Sequence, residues 1–194
     1  MKKSYLIGMV LSLSIALIVL FLLLPKHPPL DEELRLKQAV NIVNSGPMNS
    51  METPMVGIGI LKEIVEKNPS NEKALFQLGK FANQSGQYEK AIEWFNKVLS
   101  VNSNNLAAWV LKGECELNMG KTKEALVSFE SALKIDSTET NALFYSGRIY
   151  EFEGNLIGAR DRYEQFLRMN KEESEIQDSV KVFVKRIDKK LNNK

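Results

Sequence analysis

The chain of 194 residues contains a single cysteine and a single histidine, and this scarcity excludes several classes of site. The lone Cys115 has no partner for an intramolecular disulfide bond. The isolated His27 supplies neither a cluster of metal ligands nor the neighbours of a nucleophilic triad. The segment Gly57-Ile58-Gly59 lacks the third glycine and the preceding strand of a phosphate-binding loop. We therefore expect no enzyme activity, no metal and no cofactor.

An excess of charge is also missing from most of the chain. Lys2 and Lys3 account for the whole formal charge of +2, so the remainder carries equal numbers of basic and acidic side chains. A balanced domain lacks the basic surface of a nucleic-acid-binding protein, and no nucleic-acid partner is expected. The basic residues near the C-terminus are interpreted as the solvated face of a helix (Lys181, Lys185, Arg186, Lys189, Lys190 and Lys194).

The long apolar segment of the chain runs from Tyr5 to Leu24 and contains no charged residue. As a helix it would span roughly 30 Å, the thickness of the hydrocarbon core of a bilayer. It is longer than the apolar region of a cleaved signal peptide, which remains the alternative interpretation, and no small-x-small site closes it. Because Lys2 and Lys3 precede it, we expect a single-pass anchor with a cytoplasmic N-terminus and a non-cytoplasmic remainder.

Small residues occur at every fourth position of this apolar segment and would share one face of a helix: Ser4, Gly8, Ser12 and Ala16. Small side chains at this spacing let two transmembrane helices approach closely. The row predicts a homodimer through the transmembrane helix. Such residues are also common in membrane spans, so a chance arrangement stays the alternative.

Glycine recurs with a period of 34 residues, and small and aromatic residues follow the same period. A period of this length is typical of stacked helical hairpins, which form an all-α solenoid and bind other proteins. Four sets of residues keep the spacing: Gly79, Gly113 and Gly147; Gly86, Gly120 and Gly154; Ala91, Ala125 and Ala159; and Phe95, Phe129 and Tyr163.

The pattern resembles the tetratricopeptide repeat (TPR), in which Leu-Gly, aromatic and alanine residues stand at set offsets. The resemblance predicts three repeats, at 72–105, 106–139 and 140–173. A degenerate hairpin is expected at 31–71, with helices at about Asp31–Asn44 and Met55–Lys67 around a break at Ser45–Pro54. Residues 25–30 form a proline-rich spacer after the transmembrane helix, and residues 174–194 form a capping helix and basic tail.

The repeat also predicts how the hairpins pack. Gly79 and its two equivalents are expected to face the repeated alanines, and Gly86 and its equivalents to end the first helices in the left-handed conformation. Trp109, Cys115 and the repeated aromatic residues are assigned to the core. The capping helix is expected to cover the last repeat with one apolar stripe: Ile176, Val180, Phe183, Ile187 and Leu191.

The resemblance places a binding groove on the inner face of the first helix of each repeat. There an apolar residue is followed four positions later by a charged one, which puts both on one helix face. Such a groove suits an extended peptide or an amphipathic helix, although ordinary surface residues would give the same pattern. The predicted groove residues are Phe76, Lys80, Asn83, Val110, Glu114, Leu117, Phe144, Arg148, Glu151 and Phe152.

These features predict a membrane-anchored scaffold that holds a protein or peptide partner. We expect an assembly or chaperone-like factor of the cell envelope, on the periplasmic side of a bacterial inner membrane. The alternatives are a structural subunit that associates through its transmembrane helix and an assembly factor of the cytochrome c maturation type. The paired cations that grip the tails of heat-shock chaperones in other TPR domains are mostly missing, so that subtype is not expected.

Overall fold

The computed structural model describes residues 31–45, 52–170 and 174–193, and nearly all of them are helical. Hydrophobic residues recur at helical spacing, and each hairpin turn carries a glycine or an asparagine. Within these ranges the chain forms nine helices: α1 (Glu32–Ser45), α2 (Glu52–Lys67), α3 (Glu72–Gln84), α4 (Tyr88–Val101), α5 (Leu106–Asn118), α6 (Thr122–Ile135), α7 (Thr140–Phe152), α8 (Leu156–Met169) and α9 (Glu175–Asn192).

The chain divides into two compact units, and the boundary falls inside α2 between Ile60 and Leu61. In the first unit α1 and α2 pack closely at Gly57. A Cβ atom at Gly57 would lie 2.7 Å from Cγ2 of Val43 and 2.8 Å from the carbonyl oxygen of Ala39. Gly57 therefore allows the close approach of the two helices.

The predicted break between α1 and α2 is shorter at its C-terminal end than expected. Pro54 lies in the first turn of α2, which begins at Glu52. Proline is tolerated there because the first N–H groups of a helix have no partner within the helix. The predicted limits of the repeats and of the degenerate hairpin stay predictions.

The second unit contains three hairpins, α3–α4, α5–α6 and α7–α8, and one contact recurs inside each of them. A Cβ atom at Gly79, Gly113 or Gly147 would lie 2.7 or 2.8 Å from Cε1 of the aromatic ring on the second helix. These rings are fully buried and belong to Phe95, Phe129 and Tyr163.

The repeated alanines, which were expected to face these glycines, are not the residues nearest to them. The nearest side-chain atoms belong to the aromatic residue in every hairpin. The reason is volume, because a ring can lie against a helix backbone only where no side chain occupies that space. The alanines are nonetheless buried completely.

The first helix of each hairpin ends at a glycine in the left-handed conformation. The φ angles of Gly86, Gly120 and Gly154 are +70°, +72° and +79°. Each glycine N–H donates to the carbonyl three residues back, and the next N–H donates to the carbonyl five residues back. This pair of bonds satisfies carbonyls that the helix end leaves open, and it confirms the predicted helix ends.

Side chains also link successive repeats. Glu72 of the first repeat accepts hydrogen bonds from the side-chain amides of Asn102 and Asn105, at 2.9 and 2.7 Å. Asn105 at the same time caps α5, because its Oδ1 accepts from the Ala108 N–H at 2.8 Å. One residue thus starts a helix and holds the joint to the previous hairpin.

A second polar joint lies between the second and third repeats. Glu130 on α6 accepts from the Tyr150 hydroxyl at 3.0 Å and from the Arg162 guanidinium at 2.8 and 2.9 Å. Tyr150 lies on α7 and Arg162 on α8. A half-buried carboxylate therefore connects one hairpin to both helices of the next.

The last helix, α9, covers the third hairpin as predicted, with one exception. Val180 and Ile187 are fully buried, and Phe183 and Leu191 pack partly buried against the same core. Ile176 is 54% exposed, so its assignment to the buried stripe is wrong. It lies in the first turn of α9, before the buried Gln177, whose Nε2 donates to the carbonyl of Asn170 at 3.0 Å.

The core predictions hold for Cys115 and only partly for Trp109. Cys115 is fully buried, and burial raises the pKa of its thiol to about 12, with smaller contributions from Glu114 and Glu116. Trp109 is half-buried and packs against the core cluster. Its indole N–H donates to the carbonyl of Ser103 at 2.9 Å, so the polar edge of the ring faces the joint between repeats.

No helix within the described ranges is both long enough and apolar enough to cross a bilayer. The predicted span from Tyr5 to Leu24 lies outside the described residues, as do His27 and the small residues of the proposed packing face (Ser4, Gly8, Ser12 and Ala16).

Candidate functional site

Three clefts open along the first helices of the second and third repeats. They are named here the acidic, central and basic clefts. Six of the ten predicted groove residues line them, namely Val110, Glu114, Leu117, Arg148, Glu151 and Phe152. The other four, Phe76, Lys80, Asn83 and Phe144, are half-buried and line none of these three clefts.

The acidic cleft, of about 290 Å³, lies at the N-terminal ends of α5 and α7. Its charged lining residues are Glu114 and Glu139. Glu139 is fixed in place because its carboxylate caps α7, accepting from the Ala142 N–H at 2.7 Å. Burial, together with the negative charge of Glu139, raises the pKa of Glu114. Its remaining lining residues are Leu106, Ala107, Val110, Leu111 and Asn141.

The central cleft, of about 380 Å³, lies at the C-terminal ends of the same two helices. Tyr145 forms part of its wall, and its ring stacks on the buried Phe129 with centroids 5.4 Å apart. Burial raises the pKa of the Tyr145 hydroxyl, which therefore remains a neutral donor at physiological pH. The cleft is completed by Leu117, Asn118, Thr122, Arg148, Ile149 and Phe152.

The basic cleft, of about 480 Å³, lies among α7, α8 and α9. It shares Arg148 and Phe152 with the central cleft, so the two form one continuous surface. Phe152 is 84% exposed, the largest exposed fraction among the exposed large hydrophobic residues of the described ranges. The remaining residues of its lining are Glu151, Tyr163, Phe183, Arg186 and Lys190.

Glu151 is already engaged within the chain. Its carboxylate accepts from the Tyr163 hydroxyl at 3.2 Å and pairs with the guanidinium of Arg186. Burial and the adjacent Glu151 carboxylate raise the pKa of Tyr163. Glu151 therefore holds α9 against α7, which positions the basic cleft rather than leaving a free acid in it.

Two predicted groove residues act mainly as packing residues. The Phe76 ring lies 5.9 Å from the ring of the buried Phe95, and the Phe144 ring lies 5.8 Å from Phe166. The Arg148 guanidinium lies 5.9 Å from the centre of the Phe144 ring, within the range of a cation–π contact. Phe144 thus helps to position the Arg148 guanidinium through this contact.

The sequence interpretation missed the contribution of α9 to the site. Arg186 and Lys190 had been assigned to a solvated helix face, yet both line the basic cleft together with Phe183. The available signal was their spacing, since Phe183, Arg186 and Lys190 follow one another at three and four residues and so share a helix face.

No cluster of three or more potential metal ligands is present within the described ranges. The Cys115 thiol is buried, and its raised pKa leaves very little thiolate at neutral pH. The apolar surface, fixed acids and cations of the clefts are suited to noncovalent recognition.

Comparison with known proteins agrees with this architecture. A family model described as anaphase-promoting complex, cyclosome, subunit 3 matches residues 58–132. Human tetratricopeptide repeat protein 21B is 30% identical over 105 residues, which are 53% of this chain and 8% of that protein. These matches support the tetratricopeptide repeat family for this chain. The chain spans less than a quarter of the length of the curated TPR-containing and other relatives compared with it.

Solved structures support the TPR fold alone. A tetratricopeptide repeat protein from Parabacteroides merdae aligns with a TM-score of 0.69 at 19% identity, covering 83% of this chain and 61% of that one. Pseudomonas aeruginosa pilF aligns with a TM-score of 0.70 at 16% identity, covering 84% and 70%. The TPR fold is a scaffold for protein–protein interaction.

Proposed function

We propose that this TPR protein binds an extended or helical segment of a protein partner in the groove formed by the three clefts, without catalysing a reaction. The observation that carries the proposal is the continuity of the central and basic clefts around Arg148 and Phe152. The central and basic clefts, of about 380 and 480 Å³, have volumes within the usual range of ligand sites, about 300–1,000 Å³.

The lining residues favour a macromolecular partner. Leu117 and the exposed Phe152 supply apolar surface, while Arg148 offers a charged group from the same wall. A hydrophobic surface rimmed by a few charges is typical of helix-in-groove and extended-peptide recognition. Arg148 and Phe152 are exposed, so a partner can contact them without disturbing the core.

We further propose that residues 5–24 anchor the scaffold in a membrane, with the repeats on the non-cytoplasmic side. The support is the uncharged twenty-residue sequence and the two lysines before it. Anchoring would raise the effective concentration of the groove near membrane partners, so a modest affinity would suffice for an assembly or chaperone-like role in a bacterial envelope.

Orientation can be measured with intact spheroplasts. Protease added outside should digest the chain beyond residue 30 and spare the N-terminus. Protection of the repeats until the membrane is dissolved would contradict the proposed topology. Replacing Gly8 by Ile tests the alternative, because a subunit held only through its transmembrane face would lose association while keeping peptide binding.

The groove itself is tested by photo-crosslinking. Benzoylphenylalanine in place of Phe152 should form an adduct with the partner, whereas the same group at Val127 should not. Val127 is a suitable control because it is 63% exposed on α6 and lines none of the three clefts. Adding Asn118→Trp should block the central cleft and abolish the adduct. Equal crosslinking from position 127, or an adduct that survives Asn118→Trp, would contradict groove binding.

A further inference from the structure

The third repeat differs from the other two at the end of its first helix. Phe152 stands where the equivalent positions hold Gln84 and Asn118, and all three side chains are exposed. Two of the three repeats of this chain have a polar residue at this position, so packing does not require an aromatic residue there. An aromatic ring that is 84% exposed beside a cleft is consistent with a contact residue for a partner.

Three cationic side chains line the same cleft as the Phe152 ring. Arg148, Arg186 and Lys190 line the basic cleft, whereas its acidic member, Glu151, is held by Tyr163 and Arg186. Within the described ranges neither Arg148 nor Lys190 forms an ion pair. Among the described residues, no ion pair therefore compensates the positive charges of Arg148 and Lys190 in the basic cleft.

The opposite end of the groove carries the opposite charge. The acidic cleft is lined by Glu114 and Glu139 and by no basic residue. A carboxylate of a partner would be repelled there and attracted at the other end. The groove is therefore negatively charged at the acidic cleft and positively charged at the basic cleft beside α9.

We propose that the basic cleft binds an acidic segment of a protein partner that also bears a large apolar side chain. The apolar side chain packs on Phe152 and Phe183, and its neighbouring carboxylates pair with Arg148 and Lys190. This inference rests on the proposed groove-binding function and specifies the chemistry of the partner. Guanidinium–carboxylate pairs of this kind are charge-assisted, and a partly desolvated cleft strengthens them.

A protein segment fits the site better than an anionic membrane surface. The cations line a concave cleft of about 480 Å³ together with Tyr163 and Phe183, which a side chain can enter. A flat lipid surface would require exposed cations spread over a convex face. The cleft also lies beside the central cleft, so a bound segment can continue along the groove.

The test uses the full chain in detergent micelles and a displayed library of random twelve-residue peptides. Selected peptides should be enriched in Asp and Glu next to Phe, Leu or Trp. Fluorescence anisotropy of a labelled selected peptide then gives its dissociation constant. The combined Arg148→Gln and Lys190→Gln changes should weaken binding at least about tenfold, as expected for the loss of two charge-assisted contacts.

Matched variants separate recognition from folding. Phe152→Asn, which installs the residue of the second repeat, should weaken binding about tenfold, the size expected for an apolar anchor. Val127→Asn makes the same kind of change on an exposed residue of α6, and Lys134→Gln removes one exposed cation there. Both controls should leave the dissociation constant within about twofold, and all variants should keep the thermal unfolding of the wild type.

The outcomes distinguish this inference from the function on which it rests. Selection of neutral or basic peptides that Asn118→Trp excludes would overturn the acidic partner and leave groove binding intact. Selected peptides whose binding is insensitive to Asn118→Trp, to Phe152→Asn and to the combined Arg148→Gln and Lys190→Gln changes would overturn both. Failure to select acidic peptides, with Lys190-dependent binding to vesicles of phosphatidylcholine and phosphatidylglycerol, would overturn the inference in favour of a membrane surface.

Discussion

The interior of each hairpin and the groove beside it are built on the same helices but follow opposite rules. In the interior, Gly113 meets the ring of Phe129, and the first and third repeats hold the same arrangement at almost the same distance. On the first helices, three equivalent positions carry Lys80, Glu114 and Arg148. The last two line the clefts and carry charges of opposite sign. Packing therefore constrains the repeat, and the groove varies from one repeat to the next.

Space explains the difference. An interior ring fills volume that a methyl group on the facing helix would occupy, so both residues are fixed together. The exposed groove side chains, such as Arg148 and Phe152, face solvent. Several residue types can occupy such positions at little cost to stability. Stability experiments should separate the two regions sharply, and binding experiments should separate them in the reverse order.

The largest effect is expected from Phe129→Ala. The ring is fully buried between Gly113 and Tyr145, and its loss leaves a cavity worth about 3–5 kcal/mol of unfolding free energy. Urea unfolding followed by circular dichroism would measure it. A loss no larger than that of Phe152→Ala would mean that interior and groove are not energetically distinct.

Adding a methyl group at the same contact is expected to cost less. In Gly113→Ala the new Cβ would lie 2.8 Å from Cε1 of Phe129, and the strain should cost about 1–3 kcal/mol. Gly59→Ala is the matched control, since its Cβ direction is open and alanine favours a helix. If both glycines tolerate alanine equally in urea unfolding, the close approach is not needed.

The joint between the second and third repeats should show an intermediate effect. Tyr150→Phe removes one hydrogen bond to the half-buried Glu130 and should cost about 0.5–1.5 kcal/mol. Tyr145→Phe serves as control, because the Tyr145 hydroxyl has no hydrogen bond within the described ranges. Equal shifts in thermal unfolding temperature for the two variants would show that the Tyr150–Glu130 hydrogen bond does not stabilise the protein.

A smaller and pH-dependent effect is expected in the acidic cleft. Burial and Glu139 raise the pKa of Glu114, so the folded state binds its proton more tightly than the unfolded state. Stability from this group is therefore present at low pH and is lost as the pH rises through the folded pKa. Wild-type protein should lose stability relative to Glu114→Gln between pH 4 and 7. A thermal unfolding difference that is constant over this range would contradict the assignment.

The smallest effect on stability is expected in the groove. Phe152→Asn should change the unfolding free energy by less than about 0.5 kcal/mol, because the ring is exposed. Urea unfolding measures this directly, beside the peptide-binding assay described above. A larger loss would show that Phe152 supports the third hairpin and would remove the contrast between the two regions.

Much of the fold could be predicted from the repeat. The period located the helices of the three hairpins, and the left-handed glycines such as Gly86 follow from steric rules that apply to any chain. The pairing of Gly79 with Phe95 could not be read from sequence, because the period fits the alanines equally well. Only the three-dimensional volumes decide which residue occupies the space.

The site was less predictable than the fold. Positions on α5 and α7 were located because the repeat carries them, as for Leu117 and Arg148. Arg186 and Lys190 lie on α9, outside the 34-residue register, so no equivalent position in another repeat drew attention to them. Phe76 and Phe144 were assigned to the groove by register, but both are half-buried and pack against neighbouring rings.

The buried Cys115 offers a chemical readout of opening at the joint between the first and second hairpins. The chain has this one thiol, it is closed to solvent, and the raised pKa suppresses its reactive form. Cys115 shares its core cluster with Phe95 and Val98 of α4. A thiol reagent can therefore modify it only when α5 separates from the first hairpin, so the labelling rate reports openings of that joint. A partner bound in the groove between α5 and α7 should lower the labelling rate of Cys115. The occupancy of the groove could then be followed through a side chain that the partner does not contact.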